Sequence, residues 1–216
     1  MLEVSAILFD LDGTLIDSKK DIALSVHHLQ KKFGRPLSSE EDIARFIGDG
    51  MIKLVERAIG RESPDPVVTE AADFFKTHYR EHALDHTRLY PGVAEALEFF
   101  RDKKMAIVTN KPTRILAHTL EALGVARYFQ VVLGGDSVAR MKPEPDGLLE
   151  ALGQLGVRPS PEVLMVGDGA QDILAGRAAG VSTCGILSNI GDQTLLRQAN
   201  PDYTIFSMHD LMRIIS

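Results

Sequence analysis

Five short apolar runs, separated by stretches of helical period, set the fold open to this chain. They are Ile7-Leu8-Phe9, Met105-Ala106-Ile107-Val108-Thr109, Phe129-Gln130-Val131-Val132-Leu133, Val163-Leu164-Met165-Val166-Gly167 and Val181-Ser182-Thr183-Cys184-Gly185-Ile186-Leu187. Each has strand length, is rich in apolar or β-branched residues and is bounded by Gly, Asp or Asn, which is strand punctuation. Near-continuous hydrophobic runs of this kind belong to strands covered on both faces. Between them Val93, Leu97 and Phe100 share one helical face, Ile115, Thr119 and Ala122 a second, and Leu148, Leu152 and Leu155 a third, with Gly156 as a stop. Strands alternating with helices predict an α/β fold, a doubly wound parallel sheet.

One interval breaks that rhythm. From Ile16 to Leu89 the sequence carries helical patterns without a convincing strand. Ile22, Val26, Leu29 and Phe33 recur on one face, with Gly34 after them. Ile43, Ile47, Ile52, Val55 and Ile59 form a second pattern, interrupted by Gly48-Asp49-Gly50; Phe74, Phe75 and Tyr79 mark a third, read as core of this segment. About 70 residues exceed what a crossover needs. The expected organisation is therefore a core of residues 1–15 and 90–216 with a helical cap subdomain, 16–89, inserted near the carboxyl end of the first strand. Pro64-Asp65-Pro66 reads as a surface break, and Asp17-Ser18 as the cap of the first inserted helix.

Ligands of open α/β sheets bind at the carboxyl ends of the strands, so the residues there carry the functional reading. The first strand runs into Asp10-Leu11-Asp12-Gly13-Thr14. Two carboxylates so close call for a cation, and carboxylate oxygens suit Mg2+, which keeps waters for a phosphorylated substrate. Taken alone, Asp12-Gly13 reads equally well as a simple turn. The second strand ends in Thr109-Asn110-Lys111-Pro112, a hydroxyl and an amide able to bond phosphate oxygens. Lys142 stands in a Pro-containing loop after the third, and the fourth leads into Gly167-Asp168-Gly169-Ala170-Gln171-Asp172. Parallel strands bring these positions to one edge although about 160 residues separate Asp10 from Asp168.

In order and context these segments match the four signature motifs of the haloacid dehalogenase superfamily, and the chain resembles its phosphohydrolases along essentially its whole length. The resemblance implies that Asp10 is the nucleophile, forming an acyl-phosphate, and that Asp12 is the general acid and then base. It implies that Asp10, the Asp12 carbonyl and Asp168 hold Mg2+, that Thr109 and Lys142 bind the phosphoryl group, and that Asp172 orients the metal's waters from behind. Gly169 stands where the family often has Ser or Thr. The intact Asp12 favours phosphoryl transfer over carbon–halogen cleavage.

Within the family the chain is most similar to the phosphoglycolate phosphatase branch, through Arg45-Phe46-Ile47-Gly48-Asp49-Gly50, Tyr90-Pro91-Gly92-Val93, Thr109-Asn110-Lys111-Pro112 and Gly134-Gly135-Asp136. Hydrolysis of 2-phosphoglycolate is the expected activity, with Gly48, Gly50, Arg45 and Asn110 contacting the substrate and Arg45 gripping its carboxylate. The plainer reading is that Gly48 and Gly50 only break a helix and Arg45 is solvated. Related branches act on pyrophosphate, sugar phosphates or nucleotides, or are mutases. A phospho-acceptor receiver module is the rival from another class, and a silent binding protein a second.

Composition narrows the partners. The net charge of −6 and pI near 5.6 lack the basic footprint of a nucleic-acid or anionic-membrane binder. No run has the length of a membrane span and no basic leader precedes the first apolar stretch, so the expectation is a soluble cytoplasmic protein acting on a small phosphorylated metabolite, monomer or homodimer. The single cysteine, Cys184, reads as a small buried hydrophobe. His78, His82 and His86 recur every four residues, but no further ligand completes a metal site.

Overall fold

The computed structural model describes residues 2–187 and 193–215. Its centre is a six-stranded parallel sheet built from β1 (Ala6–Phe9), β4 (Lys104–Val108), β5 (Val131–Leu133), β6 (Val163–Gly167), β7 (Ser182–Ile186) and β8 (Tyr203–Ile205), in the order β5-β4-β1-β6-β7-β8. The α/β expectation holds, with one strand more than the sequence suggested. β8 escaped notice because three residues, Tyr203-Thr204-Ile205, on a sheet edge carry almost no pattern. β1 lies between β4 and β6, registered Ala6 against Lys104 and Val163. The chain winds outward from it in both directions, which opens a crevice at its carboxyl end.

Side chains of a strand alternate between faces, and both faces here are buried. Ile7 and Phe9 pack with Met105, Ile107, Leu164 and Val166 under helices α5 (Val93–Phe99), α6 (Thr113–Ala122) and α10 (Met208–Ile214). Ala6 and Leu8 face the other way, toward α7 (Asp146–Leu155) and α8 (Ala170–Ala179). Cys184 is fully buried in the first of these layers, as expected for a small hydrophobe, and burial pushes its thiol up to about 12.

After β1 the chain forms β2 (Ile16–Asp17), then α1 (Lys19–Lys32), α2 (Glu40–Phe46), α3 (Met51–Ile59) and α4 (Pro66–His82), and returns through β3 (Arg88–Leu89). Val26, Leu29, Ile43 and Val55 are completely buried in a core shared by these four helices. Each such side chain contributes about 1.5–3 kcal/mol, far more than the few tenths per residue that helix propensity supplies. Packing therefore holds the cap together. Local chemistry sets its boundaries: Ser39 accepts from the Asp42 N–H at 3.1 Å, and Asp65 accepts from Val67 ahead of a helix that opens on Pro66.

Two details correct the sequence reading of this segment. β2 and β3 pair antiparallel, Ile16 with Leu89 and Asp17 with Arg88, although no strand was expected there; two residues each give no periodicity to read. Ser18 stands at the N-cap position of α1, but its side chain makes no capping bond; of the expected Asp17-Ser18 cap it is Asp17 that accepts the Lys19 N–H, at 3.3 Å. The Ser18 hydroxyl is engaged elsewhere.

No helix among the described residues is long and apolar enough to cross a membrane.

Candidate active site

The carboxyl edge of the sheet gathers its charged groups around Asp10. The ladder continues one residue past β1, with the Asp10 N–H donating to the Val166 carbonyl at 2.9 Å, so the Asp10 side chain emerges at a fixed place. The chain then turns sharply. Gly13 has φ +89°, a conformation that favours glycine, and a β-carbon there would overlap the Asp168 carboxylate. Thr14 completes the turn by donating its hydroxyl to Asp168 at 3.0 Å.

Lys142 reaches this point from the loop after β5. Its ammonium donates to Asp10 Oδ1 at 2.7 Å, to Asp172 Oδ1 at 2.6 Å and to the Val108 carbonyl at 2.7 Å, which uses all three of its N–H groups. Asn110 fixes the lysine's backbone from both sides: its amide donates to the Lys142 carbonyl at 2.9 Å, and its carbonyl oxygen accepts the Lys142 N–H at 3.0 Å. Asp172, in the first turn of α8, accepts the Gly169 N–H at 3.0 Å with its second oxygen. That backbone bond is available whatever side chain residue 169 carries.

Burial governs the electrostatics. Asp10 is 6% exposed, Asp168 3% and Asp172 0%. Loss of hydration pushes the Asp10 carboxyl up to about 6; Lys142 opposes the rise, and the Asp172 and Asp12 charges add to it. Burial also works against the Lys142 ammonium, yet Asp10 and Asp172 hold it well above the usual lysine range. One oxygen from each of Asp10, Asp168 and Asp172 lies within 4.8 Å of the others. Three buried carboxylates this close together form an all-oxygen donor set, and such a set fits a hard divalent cation.

Asp12 points away from this cluster. Its Oδ1 accepts the Ser18 hydroxyl at 2.5 Å and the Lys111 ammonium at 2.8 Å. Lys111 also donates to the Tyr79 hydroxyl on α4 at 2.7 Å and lies 4.9 Å from that ring's centre. Asp12 outweighs the effect of burial and holds the Lys111 ammonium above its ordinary range. Burial pushes the Tyr79 phenol up to about 12.

A cavity of about 70 Å3 separates cap from core, with Asp10, Asp12, Thr109 and Lys111 on one side and Phe75 and Tyr79 on the other. Phe75 and Tyr79 thus line the cavity as well as the cap core, which corrects their reading as core alone; Phe74 stacks on His28. Gly48 and Gly50 line it too, and the Gly48 carbonyl accepts from Asn110 at 2.8 Å. Arg45 lies in an adjoining cleft with Asp49 and Gln171, its guanidinium exposed and paired with Glu41 at 2.7 Å and Asp42 at 3.4 Å.

The histidine repeat builds no second centre. His78 stacks between His28 and His82, while His86 bonds Asp21 at 2.8 Å. Among the described residues the Asp10, Asp168 and Asp172 trio is the one acidic or imidazole group close enough to hold an ion. Sequence reasoning missed Ser18, Lys111 and Tyr79. Lys111 had one visible signal, a lysine two places beyond a strand-end threonine.

The family model for haloacid dehalogenase-like hydrolases matches residues 7–186. The chain belongs to that family. It is 37% identical over 216 residues to a phosphoglycolate phosphatase of Haemophilus influenzae, covering 96% of each protein. It is 36% identical to a phosphoglycolate phosphatase of Chromobacterium violaceum, covering 97% of each. A crystal structure described as that of a predicted phosphoglycolate phosphatase from Haemophilus somnus 129pt superposes with a TM-score of 0.91 at 32% identity, over 99% of both chains. As a family member the chain is a hydrolase, and the site around Asp10 lies at the sheet edge where such chemistry is expected.

Proposed function

We propose that this protein is a Mg2+-dependent phosphomonoesterase working through a phosphorylated Asp10, with 2-phosphoglycolate as its substrate. The observation that carries the reading is the 2.7 Å contact between Lys142 and Asp10 beside two further buried carboxylates. An ammonium gripping one oxygen fixes the orientation of a nucleophile that otherwise repels a phosphate. The Asp10 carboxylate attacks phosphorus, the bond from phosphorus to the ester oxygen breaks, and Asp12 delivers a proton to the departing alkoxide. Asp12 then takes a proton from the water that attacks the aspartyl-phosphate, which frees inorganic phosphate and restores Asp10. Thr109 binds a phosphoryl oxygen, and the Lys142 ammonium, whose three N–H groups are taken, offsets the charge of the phosphoryl group from beside Asp10.

Asp10, Asp168 and the Asp12 carbonyl would hold Mg2+, with Asp172 behind them, its oxygens already engaged by Lys142 and Gly169. When bound, the ion offsets charge on the transferring group. Residues 16–89 act as the cap that keeps water from the reaction.

Two things support the substrate. The relatives named above are phosphoglycolate phosphatases. The cavity, about 70 Å3 and bounded on the cap side by Phe75 and Tyr79, suits a small ester better than a nucleotide.

The test is phosphate release across a panel of 2-phosphoglycolate, pyrophosphate, sugar phosphates and nucleotides in Mg2+. The highest kcat/KM is expected for 2-phosphoglycolate, with turnover abolished in Asp10→Asn. A preference for another member overturns the substrate, and stable phosphorylation of Asp10 without turnover overturns the enzyme in favour of a receiver.

A further inference from the structure

The cavity between cap and sheet holds two ammonium groups in different situations. Lys142 is saturated, its three N–H groups bound to Asp10, Asp172 and the Val108 carbonyl. Lys111 donates to two partners, Asp12 and the Tyr79 hydroxyl, which leaves one N–H for a ligand. We propose that Lys111 is the specificity-determining residue of this site, binding a second anionic group, a carboxylate, carried close to the ester oxygen of the substrate. The proposal rests on the phosphatase reading above and moves to Lys111 a task that the sequence alone put on Arg45.

Position supports it first. Lys111 and Asp12 share one contact of 2.8 Å. A leaving-group oxygen in reach of Asp12 therefore has Lys111 beside it, and a carboxylate one or two carbons further along the substrate meets the ammonium. A longer tail would have to enter the wall formed by Tyr79 and Phe75.

Surroundings support it second. Lys111 is 8% exposed and its head lies over the Tyr79 ring, with Ile22, Leu54 and Ile115 also lining the cavity. Charge interactions are stronger in such apolar surroundings than in water. A substrate with an apolar tail would bury that N–H without an acceptor, and a neutral hydroxyl would accept it without the attraction of opposite charges. Arg45 differs on both counts, being exposed and already paired with two carboxylates of its own helix.

The backbone under Lys111 is held as well. Its N–H donates to Thr109 Oγ1 at 3.3 Å and its carbonyl accepts from Gly135 at 3.0 Å, so the residue that meets the tail is anchored to the one that meets the phosphate.

The experiment compares 2-phosphoglycolate with 2-hydroxyethyl phosphate, which replaces the carboxylate by a hydroxymethyl group. In Lys111→Met the ratio of kcat/KM for the two esters is expected to fall about 100-fold, the scale seen when one partner of a buried charge pair is removed. Lys111→Arg should recover part of the ratio, and Arg45→Met should leave it unchanged. An equal loss on both esters, the mark of a role confined to holding Asp12, overturns the proposal, as does a ratio that follows Arg45.

A second arm needs no turnover. By calorimetry in Mg2+, Asp10→Asn protein should bind 2-phosphoglycolate more tightly than 2-hydroxyethyl phosphate, and Asp10→Asn/Lys111→Met should lose that difference. Equal affinity for the two esters, or no binding of either, overturns the proposal. Hydrolysis of neither ester by the parent would defeat the phosphatase reading separately.

Discussion

Ser18 donates its hydroxyl proton to Asp12 across 2.5 Å, tying a side chain that lines the cavity to the residue that opens the first cap helix. Ser18 is 1% exposed, so water does not readily replace its hydroxyl. Ser18→Ala should lower kcat about tenfold, the scale of one net hydrogen bond of roughly 1.4 kcal/mol, while Tm changes little. Steady-state kinetics beside a melting curve checks this. A loss confined to Tm would make Ser18 structural only.

Asp10 links the chemistry to stability. Its pKa is raised from 3.8 to about 6 by burial, so its contribution to stability is complete below pH 3.8 and is lost as pH rises through about 6. In chelator at pH 7.5 the ionised carboxylate should cost on the order of 2–3 kcal/mol, and Asp10→Asn should melt several degrees above the parent. The difference should vanish near pH 4. Mg2+ should restore the parent at pH 7.5 more than the variant, and melting curves with and without the ion test both statements.

Thr14 supports Asp168 as a metal ligand is usually supported, by a hydrogen bond from its hydroxyl to Asp168 Oδ1. Thr14→Val should raise the Mg2+ concentration needed for half-maximal activity about 10–100-fold, and Thr14→Ser should recover most of it. Titration of phosphate release against Mg2+ gives the comparison. An unchanged midpoint in Thr14→Val would remove Asp168 from the metal assignment or Thr14 from its support.

Asp21 clamps the two ends of the cap to each other. Its carboxylate accepts from the His86 N–H and Nδ1 and from the Thr87 N–H and hydroxyl, at 2.8–3.0 Å. Burial alone would raise its pKa, but the bonds from His86 and Thr87 outweigh it and hold the carboxyl below 3.8. That contribution is present above pH 3.8 and lost as pH falls through the lower folded value. Asp21→Asn should therefore cost about 2 kcal/mol at pH 6–7, a fall of some 4–8 °C in Tm, with the gap narrowing below pH 3.8.

The parts of this molecule that could be read from its sequence are those with local patterns. Buried strands such as Val163–Gly167 announce themselves as apolar runs, and the acids, Thr109 and Lys142 follow because parallel strands end at one edge. Tyr203–Ile205 and the two-residue strands Ile16–Asp17 and Arg88–Leu89 are too short to show a period. The Lys111 contacts with Asp12 and Tyr79 span 99 and 32 residues, and no spacing rule reaches that far. Arg45 is singled out by the resemblance of its loop and by its charge, neither of which shows its pairing; Glu41 and Asp42, four and three positions earlier, are the helical neighbours that pair with it.

The ladder of Ile16 with Leu89 and Asp17 with Arg88 is the junction through which the chain leaves the first strand and comes back. Because departure and return are stitched together where Ile16 bridges to Asp12, everything between them is a closed excursion. Insertions or deletions in its helices leave the spacing of the catalytic edge untouched. Such a layout lets selection exchange what the enzyme recognises while keeping the reaction it performs.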